Sequence, residues 1–461
     1  MGKFYVTTSI AYTNAPPHIG FALELIQADV LARYHRLIGK DVFFLTGTDE
    51  HGIKIERAAK KAGKKPEEFT NEIVGKFQDL TKILNISNDD FIRTTDKQKH
   101  WSTVEKTWKK LLKNGDIYKK KYKGLYCVGC EAFLKEKDLI DGKCPNHQKE
   151  PEVIEEENYF FKLSKYASDV KREIEKDNIK IIPETKKNEI LNFINQGVED
   201  ISISRAKEKL SWGISVPNDA NQVIYVWFEA LLNYIYPRDR WPADVQCIGK
   251  DIFRFHSLMW PAMLFALNLP RPKNILVHGF INVNGQKMSK SLGNIVDPFE
   301  LVGKFGTDAV RYFLLREIPP TEDGDFTFKK FEERYNADLA FGLGNLVARI
   351  IKLVQGKNYK TSSTNNKLDN EIKKTEEKYK KLLNQFKFNE SLTSIWELIS
   401  FCDKYIEKEK PWENKNEEVI CNLLYTLGKI AEFLQPFLPK TSEKINSQLK
   451  KQEGKLLFPR I

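Results

Sequence analysis

Cysteine is scarce in this chain. Six cysteines among 461 residues cannot staple a protein of this size, so a disulfide scaffold is excluded and a reducing, cytoplasmic setting is expected. Long apolar runs are missing as well. No window approaches the roughly 20 apolar residues of a membrane span, and Met1 to Val6 leads straight into strand-like residues without the apolar stretch of a secretory leader. Acidic residues are the minority charge: 63 Asp and Glu stand against 74 Lys and Arg, a formal net charge of +11 with a pI near 9.0. That balance favours a polyanionic partner such as nucleic acid, although abundant lysine alone produces the same excess. Apolar material is plentiful, 41% of residues with 12% aromatic, enough for large cores but spread over too much length for one compact domain. Two to four structural units are expected.

The periodicities give their order. Lys3 to Thr8 reads as a buried strand, Gly20 to Ile38 as a helix with Leu23, Gln27, Val30, Leu31, Tyr34 and Ile38 on one side, and Val42 to Thr46 as a second strand. This βαβ unit predicts a parallel sheet. A helix with Trp101, Val104, Trp108 and Leu111 inward carries Lys106, Lys109, Lys110 and Lys113 on its other side, ordinarily a solvated face. From Tyr118 to about Trp212 the alternation is lost, as in an insertion. It resumes with a strand at Gln222 to Trp227, a strand at Asp244 to Ile248, a helix over Phe253 to Leu267 and a strand at Asn274 to His278, as if one sheet were being completed. Asn284-Gly285 is a tight-turn signal, and Asp297 to Arg316 reads as two short helices. Beyond Phe331 strand signals vanish, and Asn345 to Val354, Ile372 to Phe386, Leu392 to Ile406 and Val419 to Phe437 all have helical periodicity. The expected fold is α/β: a Rossmann-type parallel-sheet domain in two halves, 1–116 and 214–272, split by an inserted domain at 117–213. A loop-bearing region at 273–332 and an α-helical bundle at 333–461 follow.

Three groups of residues carry chemistry. The first strand is followed by Tyr12-Thr13-Asn14-Ala15-Pro16-Pro17-His18-Ile19-Gly20, a turn that sets His18 and the next amides at a helix N-terminus. Unpaired N–H groups and positive potential make that a natural place for a phosphate. Far down the chain, Lys287-Met288-Ser289-Lys290-Ser291 puts two lysines and two hydroxyls on a short loop after a hairpin, able to close on a polyphosphate and neutralise developing charge. The third group is Cys127-x2-Cys130-x13-Cys144-x2-His147. Two short ligand pairs separated by a loop have the spacing of a tetrahedral zinc site, and four protein ligands leave no position for substrate, so one structural Zn²⁺ is expected. Four unconnected residues are the alternative, and Gly129, Gly142 and Pro145 at the turns weigh against it.

The first two groups resemble the His-Ile-Gly-His and Lys-Met-Ser-Lys-Ser signatures of class I aminoacyl-tRNA synthetases. The second matches at all five positions, whereas the first departs at its end, where Phe21 stands in place of the second histidine. Gly47-Thr48-Asp49-Glu50-His51-Gly52, Tyr225-Val226-Trp227-Phe228-Glu229-Ala230 and Gly249-Lys250-Asp251-Ile252-Phe253-Arg254-Phe255-His256-Ser257 look like segments of methionyl-tRNA synthetases, with Glu229 where that family usually has aspartate. The resemblance runs from residue 3 to beyond 412. It implies activation of L-methionine by ATP with Mg²⁺, and transfer to the 3′-terminal adenosine of tRNA(Met). It implies His18, Lys287 and Lys290 as the groups stabilising the transition state, with Gly20, Gly249, Asp251 and Ser289 as further ATP contacts. Asp49 is implied for the methionine amino group, and Ile10, Tyr12, Trp227, Tyr234, Ile252 and His256 for its side chain. Aromatic rings receive a thioether well, although without the resemblance Trp227 and Tyr234 read equally as core. In the bundle, Asn345 and Arg349 share a helix face and Trp412 follows Pro411; the family's matching Asn, Arg and Trp read the anticodon, as hydrogen-bonding side chains beside an aromatic platform do.

Ligases of the same class for leucine, isoleucine or valine need an editing insertion, because binding alone separates substrates one methylene apart only ~10–200-fold. About a hundred residues with a zinc group in them are too few for that module. A cysteine ligase would hold its substrate on an open zinc. A non-catalytic RNA-binding relative would not need the intact loop at Lys287 to Ser291. The chain stops soon after the bundle, without the extra C-terminal module that pairs subunits in some relatives, so a monomer is expected.

Overall fold

The computed structural model describes residues 2–129, 132–134, 136, 139–145, 148–288, 293–355, 359, 366–414 and 416–461, with backbone alone at 132, 133, 366 and 367. Its centre is a six-stranded parallel sheet of β1 (Lys3–Tyr12), β2 (Asp41–Asp49), β3 (Asp90–Arg93), β4 (Lys180–Ile182), β5 (Val245–Gly249) and β6 (Asn274–His278), in the spatial order β3-β2-β1-β5-β6-β4. β1 and β5 are buried along almost their whole length, the pattern of parallel strands covered on both faces. The chain builds outward from β1 in one direction and returns on its other side. The gap between the carboxyl ends of β1 and β5 is therefore the topological switch point, where such sheets bind ligands.

Two elements depart from the expected partition. Lys180–Ile182 lies within 117–213 yet pairs with Asn274–Leu276 and forms the edge of the main sheet, and β6 belongs to the same sheet although it falls beyond residue 272. The first was hidden because three residues in a lysine-rich stretch carry no periodicity. The strand expected at Gln222 to Trp227 is Asp219–Ile224, and it joins Ser204–Ala206 and Ser215–Val216 in a separate antiparallel sheet. An apolar run marks a strand without naming its partner, and nearby strands pair first. The rest of 117–213 is built on the long hairpin Ile117–Cys127 and Glu152–Phe161, in which Lys121 faces Glu157 and Lys123 faces Glu155, opposite charges directly across the ladder. Among the described residues no helix is long and apolar enough to cross a membrane.

Helix α1 (Ile19–Leu37) lies against the sheet and is buried on nearly every side, with Glu24, Gln27 and Asp29 among its enclosed residues. The described residues beyond Phe331 fold as helices, chiefly Asn345–Val354, Phe388–Glu409, Glu417–Leu434 and Pro439–Lys451, and their apolar faces are continuous with those of α1 and Thr307–Arg316 in one core. At that junction Arg311, fully buried, ion-pairs with Asp29 at 2.7 Å. Three more of its hydrogens go to the carbonyls of Phe437, Pro436 and Leu84 at 2.7, 2.9 and 3.2 Å. Asp29 also accepts from Arg33 and from the Ser87 amide and hydroxyl, each at 2.7 Å. Burial opposes the Asp29 charge, but Arg311 and Arg33 outweigh it and hold the carboxyl below its ordinary value.

Removing one member of such a pair strands the other charge in the interior. Arg311→Met is expected to lower stability by ~3–5 kcal/mol in urea unfolding, and Arg311→Met with Asp29→Leu by much less. Equal losses in both variants would show that the apolar packing, not the charge, holds the junction.

Candidate active site

His18 caps α1. Its Nδ1 accepts from the Gly20 amide at 3.0 Å, so the ring's own hydrogen stands on Nε2 as a donor. Burial lowers its pKa against the pull of Asp251, which keeps the ring neutral near pH 7. A Cβ at Gly20 would stand 2.8 Å from His18 Cε1, so any side chain there would push the histidine ring aside. Phe21, in place of the second signature histidine, packs edge-on against Phe77 with centroids 5.3 Å apart. Its position serves the core beside the helix Pro66–Ile83.

The two signatures meet. The Cβ point of Gly20 lies 3.8 Å from Met288 Cε, and the Ile19 amide donates to Val296 O at 3.4 Å. Lys287 Nζ lies over the Phe280 ring at 5.2 Å, and Lys250 Nζ over the same ring at 4.5 Å. Asp323 fixes this group, accepting from Lys250 at 2.6 and 2.7 Å and from the Phe280 amide at 2.9 Å. Ser289 and Lys290 lie outside the described residues.

A second cluster gathers residues of β1, β2 and the segment 227–256. Tyr12 and Asp49 are register partners on β1 and β2, as are Ile10 and Gly47 after an irregularity that follows Thr7. Trp227 and Phe255 stack with centroids 4.3 Å apart at 6°. The Tyr234 hydroxyl lies 2.8 Å from His256 Nε2, and Nδ1 of that ring lies 3.2 Å from the Ile252 carbonyl. The carbonyl can only accept, so Nδ1 carries the hydrogen and Nε2 accepts from Tyr234. Burial presses the His256 pKa down to about 4. The sequence-expected residues Tyr12, Trp227, Tyr234 and Ile252 thus come to one core region, with Ile10 on a neighbouring one.

Several supporting residues were not foreseen. Glu229 is wholly buried and holds His51 at 2.8 Å through one oxygen and His100 through the other. Burial opposes its charge, and the two histidines outweigh it and lower its pKa. Since His51 follows Asp49 by two residues and Glu229 follows Trp227 by two, this one carboxylate ties both walls of the cluster together. Lys54 Nζ lies over the Tyr12 ring at 5.3 Å and donates to Gly129 O at 2.9 Å. The sequence signal for Glu229 was a charged residue inside an apolar run; for Lys54 there was none.

Cys127 and Cys144 are buried, whereas Cys130 and His147 lie outside the described residues. Among the described residues, no group of three or more His, Cys, Asp or Glu is arranged to hold a metal. In the bundle, Arg349 pairs with Asp403 at 3.2 Å and Glu407 at 2.6 Å. It lines a surface pocket of about 430 Å³ with Trp412, Tyr359 and Lys352. Trp412 is 46% exposed, so its ring is open to solvent. Asn345 is exposed one turn before Arg349.

A parallel sheet with paired signatures over its switch point, followed by a helical bundle, defines a class I aminoacyl-tRNA synthetase. The sequence model described as "tRNA synthetases class I (M)" matches residues 4–151 and 137–351, and that described as "Anticodon-binding domain of tRNA ligase" matches residues 365–458. The methionine–tRNA ligase of Clostridium acetobutylicum is 44% identical over 100% of this chain and 78% of its own length, and that of Thermotoga maritima 43% identical over 96% and 74%. Methionyl-tRNA synthetase of Mycobacterium tuberculosis in complex with methionyl-adenylate superposes with a TM-score of 0.93 at 35% identity, covering 100% of both chains. Its apo form superposes at 0.84 and 32% identity, covering 100% and 98%. The chain belongs to the methionyl-tRNA synthetase family.

A histidine whose folded pKa is lowered binds its proton later than in the unfolded chain as pH falls. The neutral His256 therefore contributes stability that is complete above its ordinary value of 6.5 and is lost between there and about 4. Urea midpoints taken across that window should fall less steeply in His256→Asn than in the wild type. An unchanged slope would mean that His256 does not titrate with unfolding.

Proposed function

We propose that this chain activates L-methionine with ATP and transfers it to tRNA(Met). The observation that carries this reading is the meeting of the two signatures, Met288 against Gly20, in a sheet that sets Tyr12 beside Asp49 at the ends of β1 and β2. ATP enters as its Mg²⁺ complex. A carboxylate oxygen of methionine attacks the α-phosphorus, the new acyl–phosphate bond forms as the bond to the β-phosphate bridging oxygen breaks, and pyrophosphate leaves. No protein nucleophile is needed, so the protein's part is positioning and charge neutralisation. The Nε2 hydrogen of His18, Lys287 and Lys290 meets the charge that builds on the phosphate oxygens. Gly249, Asp251 and Ser289 complete the nucleotide site. Asp49 takes the substrate ammonium, and Ile10, Tyr12, Trp227, Tyr234, Ile252 and His256 enclose the thioether. The neutral, acceptor-committed His256 ring adds no charge to that enclosure. In the second step a hydroxyl of the terminal adenosine attacks the activated carbonyl and AMP leaves.

Asn345, Arg349 and Trp412 are assigned to the anticodon. Support comes from the exposed Trp412 ring and the Arg349 guanidinium on one pocket, and from the match of residues 365–458 to an anticodon-binding domain. Cys127, Cys130, Cys144 and His147 are assigned to one structural Zn²⁺. Two thiols buried in a module rich in lysine and glutamate fit a pair held on a cation. Bound there, zinc would supply folding energy and no chemistry.

Methionine-dependent exchange of pyrophosphate into ATP tests the activity directly, and its absence would overturn the reading. Lys290→Ala should lower that exchange by ~10²–10³-fold, the usual loss for one transition-state donor. Trp412→Ala should leave exchange near wild type while tRNA charging falls, since one lost base stack is worth ~1–3 kcal/mol. Equal losses in both steps would make Trp412 structural. Cys144→Ser should abolish the zinc found by metal analysis and open the hairpin to protease, and zinc-free wild type would defeat the assignment.

A further inference from the structure

Trp212 has no place in the mechanism above. It stands at the end of the segment 117–213, where the chain returns from the inserted module, and both its backbone and its ring reach the turn that follows Asp49. The Trp212 carbonyl accepts from the Gly52 amide at 3.3 Å, and its indole Nε1 donates to the Glu50 carbonyl. The same ring stands edge-on to His51 with centroids 5.5 Å apart. Bonds to residues 50 and 52 therefore grip the backbone on either side of His51. Ser211 adds an anchor on the helix Ile53–Lys61, where its amide and hydroxyl donate to the two oxygens of Glu56 at 3.1 and 2.8 Å.

Asp49 ends β2, and beyond it the ladder no longer dictates where the chain goes. Backbone groups that leave a ladder need partners from elsewhere. The Glu50 amide finds the Thr94 hydroxyl at 2.9 Å, and Trp212 takes the Glu50 carbonyl and the Gly52 amide. Gly52, at φ 109°, lets the chain turn from the strand into the helix. The His51 amide points back at Asp49 and donates to its Oδ1 at 3.5 Å, while Glu229 holds the His51 ring. Glu50 shares a peptide plane with Asp49, so anchoring Glu50 at its amide and its carbonyl also limits the swing of Asp49. The buried Asp49 carboxylate is thus aimed by a turn that the inserted module holds from outside.

We propose that Trp212 is a positioning residue for methionine: by holding residues 50–52 it sets the Asp49 carboxylate for the substrate ammonium, and the inserted module takes part in amino-acid recognition. The proposal rests on the reading of Asp49 as the ammonium partner. The ammonium is bound before and during the reaction alike, so a misplaced Asp49 weakens binding and leaves the chemical step as it was.

In pyrophosphate exchange by the full chain, Trp212→Phe keeps a ring against His51 and removes only the indole donor. It should raise the KM for methionine about fivefold, the worth of one neutral hydrogen bond, with kcat and the KM for ATP near wild type. Equal rises in both KM values would make Trp212 a general support of the fold and overturn the proposal, as would an unchanged KM for methionine. Asp49→Asn and the double variant complete a cycle, with methionine affinity read by equilibrium dialysis so that a variant too slow to exchange still reports. If Trp212 acts through Asp49, adding Trp212→Phe to Asp49→Asn weakens methionine little further. Additive losses would place the action of Trp212 elsewhere in the pocket and overturn the positioning role, while Asp49 keeps its assignment. If Asp49→Asn binds methionine as the wild type does, the ammonium reading falls and takes the proposal with it.

Discussion

A carboxylate enclosed by protein must find a cation or several hydrogen-bond donors, because the interior cannot replace the water it loses. Helix α1 carries two such carboxylates and an amide on faces that otherwise bury only apolar residues, and much of the molecule is arranged to satisfy them. Glu24 draws the Ser9 backbone and His278 together, which sets the ends of β1 and β6. Gln27 donates to Pro320 O at 3.2 Å. Asp29 calls in Arg311, which reaches the carbonyls of Phe437 and Pro436 between the last two helices. With His18 at its amino end, one helix joins the first signature, the strand ends at the switch point and the helical bundle.

The site shows the same economy of charge. Histidine appears in three environments, each fixed by which neighbours can only accept. His256 is neutral because its sole forced donor is Nδ1, His278 has its pKa raised against burial by Glu24 and the Gly279 carbonyl, and His51 and His100 share the Glu229 carboxylate between them. Aromatic rings do for lysines what carboxylates do for histidines. Phe280 receives Lys287 and the Lys250 that Asp323 pairs, and Tyr12 receives Lys54, ring contacts that place a cation without themselves neutralising it.

Long-period features were legible in the sequence, and short or non-local ones were not. The β1, α1 and β2 unit, the strand at Asn274–His278 and the bundle helices Asn345–Val354, Phe388–Glu409 and Glu417–Leu434 follow apolar periodicity and stand within a few residues of expectation, whereas Pro439–Lys451 was not foreseen. Lys180–Ile182 was invisible because an edge strand of three residues has too little pattern to show. The expected strand near Gln222 was real but joined another sheet, since pairing is decided by neighbours in space. In the site, the signature residues were legible because their types and spacing carry chemistry by themselves. Glu24 with His278, Lys54 and Glu229 act through partners 42 to 254 positions away, and no local window contains such a pair. Phe21 was legible as a departure but not as a core residue until Phe77 was found beside it.

The edge strand has a consequence for how this architecture can be taken apart. Segment 117–213 resembles a cassette dropped into a loop, yet it surrenders Lys180–Ile182 to the host sheet through β6. A chimera that exchanged the whole segment with a relative would exchange a strand of the host as well. An exchange that keeps the host sheet whole must break the segment on both sides of Lys180–Ile182 and leave its seam with Asn274–Leu276 intact.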